Sequence, residues 1–317
     1  MDLDAFFAEH PMGGADEALP EGFKSGFVTL VGRPNAGKST LLNAIMGKKI
    51  AITSKTAQTT RHRFRAVLTR DEFQMIIVDT PGLHKPHDAL GEELNTSAIK
   101  ALEDVDVIAM LIDASKPIGR GDEWVAAQLR GSKSKKICVL SKTDIVTPEQ
   151  IAAQRAAAEK LATWDAMVGL SSQTGRNVDA FVEEVVYLLP EGPAWFPRDM
   201  ETDQPIEVMV AEFVREKILR SFRDEVPHSI GVQVEEMEYE KKDLVRIFAV
   251  IYVERDSQKG IIIGRGGAAI KRIGTEARRD LEHLLGMRVF LDLRVKVKKN
   301  WRRDANQIKR FGYGEGL

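Results

Sequence analysis

Residues 32–39 read Gly-Arg-Pro-Asn-Ala-Gly-Lys-Ser, the G-x-x-x-x-G-K-S spacing that wraps a backbone around a phosphate chain. Gly32 and Gly37 permit close approach of the main chain. The N–H groups from Asn35 through Ala36, Gly37, Lys38 and Ser39 would point inward at the start of a helix, whose dipole favours negative charge. Pro34 has no N–H and cannot donate. Lys38 is placed to reach the outer phosphates as a point charge, and the Ser39 hydroxyl to bind Mg²⁺. Arg33 and Thr40 complete the loop. Apolar GFVTLV (26–31) before it and TLLNAIM (40–46) after it supply the strand and helix that such a loop needs.

Four further segments fall where a nucleotide hydrolase needs them. Asp79-Thr80-Pro81-Gly82 follows the apolar run QMIIV. There Asp79 can hold the Mg²⁺ shell through water, and the Gly82 N–H can meet the γ-phosphate. In QTTR (58–61), Thr60 is the hydroxyl expected to complete the metal shell. Ser141-Lys142-Thr143-Asp144 follows KICVL. Asp144 can accept from the N1–H and 2-amino group of guanine, while Lys142 packs across the base. Ser171, Ser172 and Gln173 open SSQTG (171–175), which can offer a backbone N–H to the guanine O6. Catalysis would then rest on Lys38, Thr60 and Gly82, with Ser39, Thr60 and Asp79 as the metal set. Each segment sits at the end of an expected strand, where open α/β sheets bind ligands.

A second motif lies in GIIIGRGGAAIKRIG (260–274). Gly264-Arg265-Gly266-Gly267 matches the GXXG loop of KH domains, which clamps a sugar-phosphate backbone. Ile263 precedes the loop, and Lys271, Arg272, Arg278 and Arg279 would extend a basic rim. Ile270 and Ile273, at i, i+3 spacing, are expected in the core.

The elements that must hold these residues follow from pattern. Strand candidates are 26–31, 64–69, 73–78, 105–112, 136–141 and 166–171; helical candidates are 38–47, 91–103, 121–130, 148–162 and 177–189. Near-continuous apolar strands imply a mostly parallel sheet with helices on both faces, an α/β fold. The pair 64–69 and 73–78 reads as an antiparallel edge. After the proline-rich stretch 190–205, the order is helix 206–222, strands 230–239 and 244–254, a Gly-rich turn, helix 268–285 and strand 289–298, an α+β module. The expected organisation is an extension (1–24), a nucleotide domain (25–189), a linker (190–205) anchored by Trp195 and Phe196, a KH domain (206–300) and a basic tail (301–317).

These residues resemble the translation-factor-related GTPases, and within them the Era-like family, in which a GTPase domain precedes a C-terminal type II KH domain. The resemblance covers about residues 26–300. It implies GTP/GDP and Mg²⁺ as cofactors, a K⁺ ion beside Asn35, binding near the 3′ end of small-subunit ribosomal RNA, and a role in assembling the 30S subunit. Two positions depart from common GTPase patterns. Ser141 stands where the base-reading motif usually begins with Asn. Leu83 stands where Ras-like enzymes carry a catalytic Gln; Era-like proteins share this apolar residue, and slow hydrolysis is implied. A GTPase acting on other cargo (tRNA-modifying or membrane-associated) and a non-enzymatic RNA scaffold are the alternative readings.

Composition agrees with these expectations. The 317 residues suffice for two domains, with 43 % apolar and 29 % charged residues. One cysteine, Cys138, excludes an intramolecular disulfide framework and fits a reducing cytoplasm. No apolar run approaches the ~18 residues of a membrane span, and the N-terminus lacks a signal-peptide pattern. A cytoplasmic monomer is expected, with peripheral membrane association as a further expectation. Net charge is −1, but residues 255–310 hold 16 Lys+Arg against 6 Asp+Glu, while 199–243 hold 6 against 13. The basic C-terminal stretch suits a polyanionic partner.

Overall fold

Six strands form one sheet in the order β2-β3-β1-β4-β5-β6. They are β1 (Lys24–Gly32), β2 (Phe64–Thr69), β3 (Phe73–Asp79), β4 (Val107–Asp113), β5 (Lys135–Ser141) and β6 (Ala166–Gly169). The computed structural model describes residues 19–54, 59–62, 64–79, 81–83, 88–102, 104–222, 226–227, 229–241 and 243–313. Thr80, Gln58 and residues 1–18 of the expected extension lie outside the described residues. All pairings are parallel except β2–β3, the antiparallel edge. Strands β3 and β4 are apolar runs because both faces are covered. Helices α1 (Lys38–Met46) and α5 (Val178–Leu188) pack on one face. Helices α2 (Ala89–Lys100), α3 (Arg120–Gln128) and α4 (Pro148–Ala158) pack on the other, where Cys138 is buried.

Helix boundaries have local causes. Helix α1 is closed by Gly47 in the left-handed region (φ 66°). The Asp88 carboxylate caps α2 by accepting from the Gly91 N–H. Thr147 and Gln150 form a reciprocal capping box on α4, with Pro148 at its first position. Helix α4 stops at Ala158, short of the expected 162, and residues 160–162 turn back towards the sheet with Trp164 donating to the Ala158 carbonyl.

Residues 190–205 lie on the sheet rather than hanging between domains. Phe196 is buried against Val67 and Ile76, and Trp195 packs on Phe27. The Gln74 carboxamide accepts from both of their backbone N–H groups. Farther on, Val67 donates to Glu201 and Arg65 pairs with Asp203, so the open edge of β2 is covered.

The C-terminal half carries a three-stranded sheet, β7 (Gly231–Lys241), β8 (Leu244–Val253) and β9 (Arg288–Val297), with β8 antiparallel to β7 and parallel to β9. Helices α6 (Ile206–Ser221), α7 (Asp256–Ile263) and α8 (Ala268–Leu285) cover one face. Ile273 is fully buried there and Ile270 partly so. The expected basic tail is folded over its described residues, 301–313. Trp301 and helix α9 (Ala305–Arg310) place Trp301, Ile308, Phe311 and Tyr313 against Leu90 and Leu94 of α2. Arg302 is bound by Glu254 and Asp88. The aromatic residues in 301–313 outweigh its charge because they find an apolar surface on the other half.

Charged side chains are buried where the halves meet. Glu212 and Arg215 on α6 pair within the interface, and His62 Nδ1 stands 3.2 Å from Glu212. Burial alone would raise the Glu212 carboxyl, but the Arg215 charge and the His62 contact outweigh it and hold it at about 2. A carboxyl depressed in this way stabilises the fold fully above its unfolded value near 4.5, and that contribution is lost as pH falls towards 2. Glu212→Gln should therefore flatten the pH dependence of the melting temperature in that window. It should also destabilise the protein at neutral pH by about 3–5 kcal/mol, because Arg215 is left buried without its counter-charge. Thermal melts from pH 2 to 7 test this; coincident wild-type and variant curves would show that the pair contributes nothing.

Candidate nucleotide and RNA sites

Register brings the first site together. Leu30 pairs with Asp79, Gly32 with Leu111, and Asp113 with Ser141, so the C-terminal ends of β1, β3, β4 and β5 finish in one row. Gly32 has φ 146°, and a Cβ there would lie 2.5 Å from the Leu111 carbonyl oxygen. Asn35 (φ 65°) and Gly37 (φ 102°) complete the bend into α1. Lys38 is buried, with Nζ donating to the carbonyls of Gly32 (3.3 Å) and Arg33 (3.4 Å). Burial lowers its pKa to about 8, against the opposing charge of Asp79. An anion entering the loop would restore the full charge. Gly82 closes the mouth: a Cβ there would stand 3.1 Å from Lys38 Nζ and 3.4 Å from Pro34 Cα.

The oxygens expected to hold a metal lie together. Ser39 Oγ is 3.0 Å from Thr60 Oγ1, and Thr60 donates to Asp79 Oδ2 at 3.2 Å. Two hydroxyls and a carboxylate are the hard donors Mg²⁺ takes, alongside water and phosphate oxygens. The residues present therefore fit that ion. Ser39 and Thr60 line a cleft of about 440 Å³ that also includes Thr40, Ile52, Thr53, Lys116 and Lys142, while Asp79 is fully buried and is not among its walls.

At the other end of the cleft, Ser141 Oγ donates to the Ala36 carbonyl (2.7 Å), with the Ile112 carbonyl at 3.2 Å. Although shorter than Asn, this serine reaches the phosphate loop. Lys142 lies across the loop, donating to the Asn35 carbonyl (2.9 Å) and to Asp113 Oδ2 (2.6 Å). Asp144 is exposed in a 3-10 turn (Thr143–Ile145). The Thr143 N–H donates to the Leu170 carbonyl, so this turn is tied to the segment Ser171, Ser172 and Gln173. Ser171 is buried and accepts from the Thr174 N–H. Arg33 turns away from the cleft to pair with Asp122 on α3. Pro81 and Leu83 are both buried, Leu83 within the α2–α4 core. Asp113 and Lys116 are absent from the motif reading. Their only sequence signal is a position just past an apolar strand.

The second candidate site lies where α7 gives way to α8. Gly264 (φ 73°) is irreplaceable on steric grounds, because a Cβ would meet Ala269 Cβ at 2.7 Å. Gly266 (φ 58°) and Gly267 (φ 78°) face open space, and Arg265 is exposed. A groove of about 320 Å³ lies between α8 and β9, with none of Gly264 to Gly267 among its walls. Ile270, Lys271, Gly274, Thr275 and Arg278 form one wall, and Val289, Phe290, Leu291 and Leu293 the other. Arg272 and Arg279 are exposed on α8 but are not among its walls, and Ile263 is half-buried at the end of α7. The β9 wall is missing from the motif reading. Phe290 is 48 % exposed, with the Arg246 guanidinium 5.1 Å from its ring.

Comparison with known proteins agrees with both halves. The family described as "50S ribosome-binding GTPase" matches residues 27–142, and the KH domain family matches residues 225–302. GTPase Era of Mycobacterium avium is 48 % identical over 296 residues, covering 92 % of this chain and 99 % of that protein. Its counterpart in Mycobacterium tuberculosis is 48 % identical over 297 residues, with the same coverage. Two solved structures superpose with TM-score 0.89 at 38 % identity, covering 92 % of this chain and all of theirs. One is an Aquifex aeolicus Era variant bound to GDP·AlF4⁻; the other is Era with MgGDPNP and nucleotides 1506–1542 of 16S ribosomal RNA.

The hydrogen bond from Ser141 to the phosphate loop makes a measurable claim. Ser141→Ala leaves the buried Ala36 carbonyl without this donor, a loss of about 1 kcal/mol. Guanine-nucleotide affinity should fall roughly fivefold, read by dissociation of a fluorescent analogue. An unchanged off-rate would detach this serine from the site.

Proposed function

The chain belongs to the Era family of GTPases, and from that premise we propose that it couples GTP binding and hydrolysis to binding of the 3′ region of small-subunit ribosomal RNA during assembly of that subunit. One observation carries the reading: a phosphate loop with a clustered Ser39–Thr60–Asp79 set and a GXXG loop occur in one chain, which superposes along 92 % of its length on an Era structure holding both MgGDPNP and 16S RNA.

The roles follow from chemistry. Backbone N–H groups at the start of α1 bind phosphate oxygens, and Lys38 neutralises the outer phosphates. Ser39, Thr60 and Asp79 would hold Mg²⁺, which would supply positive charge beside the bound phosphates. Gly82 brings its N–H to the γ-phosphate without a side chain in the way. Asp144 reads guanine, Lys142 covers the base, and Ser171, Ser172 and Gln173 close the far edge. Leu83 offers no group to orient water, so hydrolysis is slow. A K⁺ ion beside Asn35 would add a second fixed charge, and faster hydrolysis in K⁺ than in Na⁺ would be its signature.

On the RNA side, Gly264 to Gly267 admit the sugar-phosphate backbone, Lys271 and Arg278 pair with phosphates, and the apolar floor with Phe290 receives bases. The "50S" description of the family matching residues 27–142 favours a second reading, the large subunit. Co-sedimentation with isolated 30S and 50S subunits separates the two. We place the protein in the cytoplasm as a monomer with peripheral membrane contact, which fractionation and light scattering test. Among the described residues no helix is long and apolar enough to cross a membrane.

GTP and GDP should bind more tightly than ATP by about 1.5–3 kcal/mol, because adenine has no N1–H or 2-amino group for the Asp144 carboxylate. Asp144→Asn should shift preference towards XTP. Competition among GTP, ATP and XTP decides this, and equal ATP and GTP affinity would refute the guanine assignment.

Arg265→Asp with Gly266→Asp should weaken single-stranded RNA binding by at least about tenfold, roughly 1.4 kcal/mol. Two anionic groups would then stand where phosphates approach. Asp tolerates the left-handed conformation of Gly266, which has open space around it, so the domain should still fold. GTP affinity should not change, and wild-type RNA affinity should drop steeply with salt. Filter binding across a salt series measures both; full RNA affinity in a folded variant would remove the KH assignment.

A further inference from the structure

The loop that delivers Thr60 is held by the C-terminal half of the chain. Arg215 on α6 is fully buried, and its guanidinium is shared between two acceptors. Nε and Nη2 donate to the Glu212 carboxylate at 2.8 and 2.5 Å, and Nη2 also donates to the carbonyl of Thr59. The next residue is Thr60, whose hydroxyl stands beside Ser39 and Asp79. Arg61 and His62 are held from the same side. Arg61 donates to the Ile230 carbonyl (2.5 Å) and lies over the rings of Trp301 and Tyr313, and His62 Nε2 is 3.0 Å from the Phe311 carbonyl. Adjacent to Arg215 on α6, and one turn on from Glu212, Glu216 accepts from the Thr53 N–H at 2.9 Å. The segment is thus gripped at both ends by one helix of the RNA-binding half.

A buried pair such as Glu212–Arg215 is weak evidence for stability, and docking two domains does not require it. What sets this pair apart is that the guanidinium fork divides between a carboxylate and a main-chain carbonyl one residue from the metal set. A fork of this shape fixes both position and orientation of the peptide it holds.

We infer that Arg215 is a positioning residue for GTP hydrolysis: by holding the Thr59 carbonyl it keeps the Thr60 hydroxyl at the Ser39–Asp79 metal site, so that this site is complete only while α6 of the RNA-binding half is docked. The inference rests on the GTPase reading above. It concerns no contact between Arg215 and nucleotide. Arg215 acts through one peptide unit, as outer-shell groups act on metal ligands.

The test uses the full chain as wild type, Arg215→Lys, Thr60→Ala and the double variant. Lysine keeps a charge beside Glu212 but cannot present a planar fork to both acceptors. Three quantities are read: the Mg²⁺ concentration that half-maximally slows release of a fluorescent non-hydrolysable GTP analogue, amide hydrogen exchange at 60–62, and the single-turnover hydrolysis rate. Arg215→Lys should raise the Mg²⁺ requirement and lower the rate, each about tenfold, and should speed exchange at 60–62. GDP affinity without Mg²⁺ should stay at the wild-type value. In the Thr60→Ala background Arg215→Lys should add nothing, because the two act on one step. A wild-type Mg²⁺ requirement in Arg215→Lys, or losses that add with those of Thr60→Ala, overturns the inference. If Arg215→Lys melts early, Glu212→Gln with Arg215→Gln removes both charges of the pair together and is read by the same criteria. A wild-type chain that binds no guanine nucleotide would instead overturn the GTPase reading itself.

Discussion

The contact among Ser39, Thr60 and Asp79 is the constraint on which the rest depends. Their oxygens lie within hydrogen-bond distance, yet they come from a helix start, a loop and a strand end. Asp79 is placed by the parallel pairing of β3 with β1 and Ser39 by the turn through Gly37. Thr60 belongs to no helix or strand and depends on contacts from α6. The sheet provides a rigid floor, and the one member of the set outside helix and strand is held against it by another part of the chain.

Apolar burial and polar placement are divided between different parts of the molecule. Strands β3 and β4 and the helices around them form apolar cores that hold the row of strand ends in register. Charged side chains are buried instead at the meeting of the halves, where Arg61, Glu212, Arg215, Glu216 and Lys217 are nearly inaccessible. Hydrophobic residues there would dock the halves at lower desolvation cost. A polar network instead selects one alignment, because each buried group must find its partner. Such an interface suits two halves whose relative placement bears on a metal site.

On the RNA side the division is similar. The GRGG turn is local backbone chemistry, while the groove between α8 and β9 is made by packing the helix across the strand. Gly274 sits where a Cβ would touch Leu293, which keeps the helix close to the strand. Lys271 and Arg278 follow the helix rim, and Phe290 supplies an exposed ring from the strand. Much of the strongly basic C-terminal charge is already engaged within the protein. Arg302 pairs with Glu254 and Asp88, Lys296 with Glu235, and Lys298 lies over Tyr252 and Phe311.

What the sequence by itself determined is the chemistry that lives in consecutive residues. A phosphate loop needs a particular series of φ angles and N–H donors, so Gly32 to Ser39 are readable as a string, and so are Gly264 to Gly267. The alternation of apolar runs with helical patterns likewise specifies a sheet covered on both faces. Asp113, Lys116, Phe290 and Leu293 were not readable, because each enters its site only through the strand or helix packed beside it. Arg33 lies in the motif, yet it leaves the cleft for Asp122, a partner 89 positions away that no local pattern names. Residues 301–313 look basic in sequence and fold as an aromatic clasp on α2, because Trp301 and Phe311 gain more from burial than the neighbouring charges lose. The hold of Arg215 on Thr59 spans 156 positions. Only the tertiary structure could decide it, since a hydrogen bond to a main-chain carbonyl leaves no trace in the identity of the residue that accepts it.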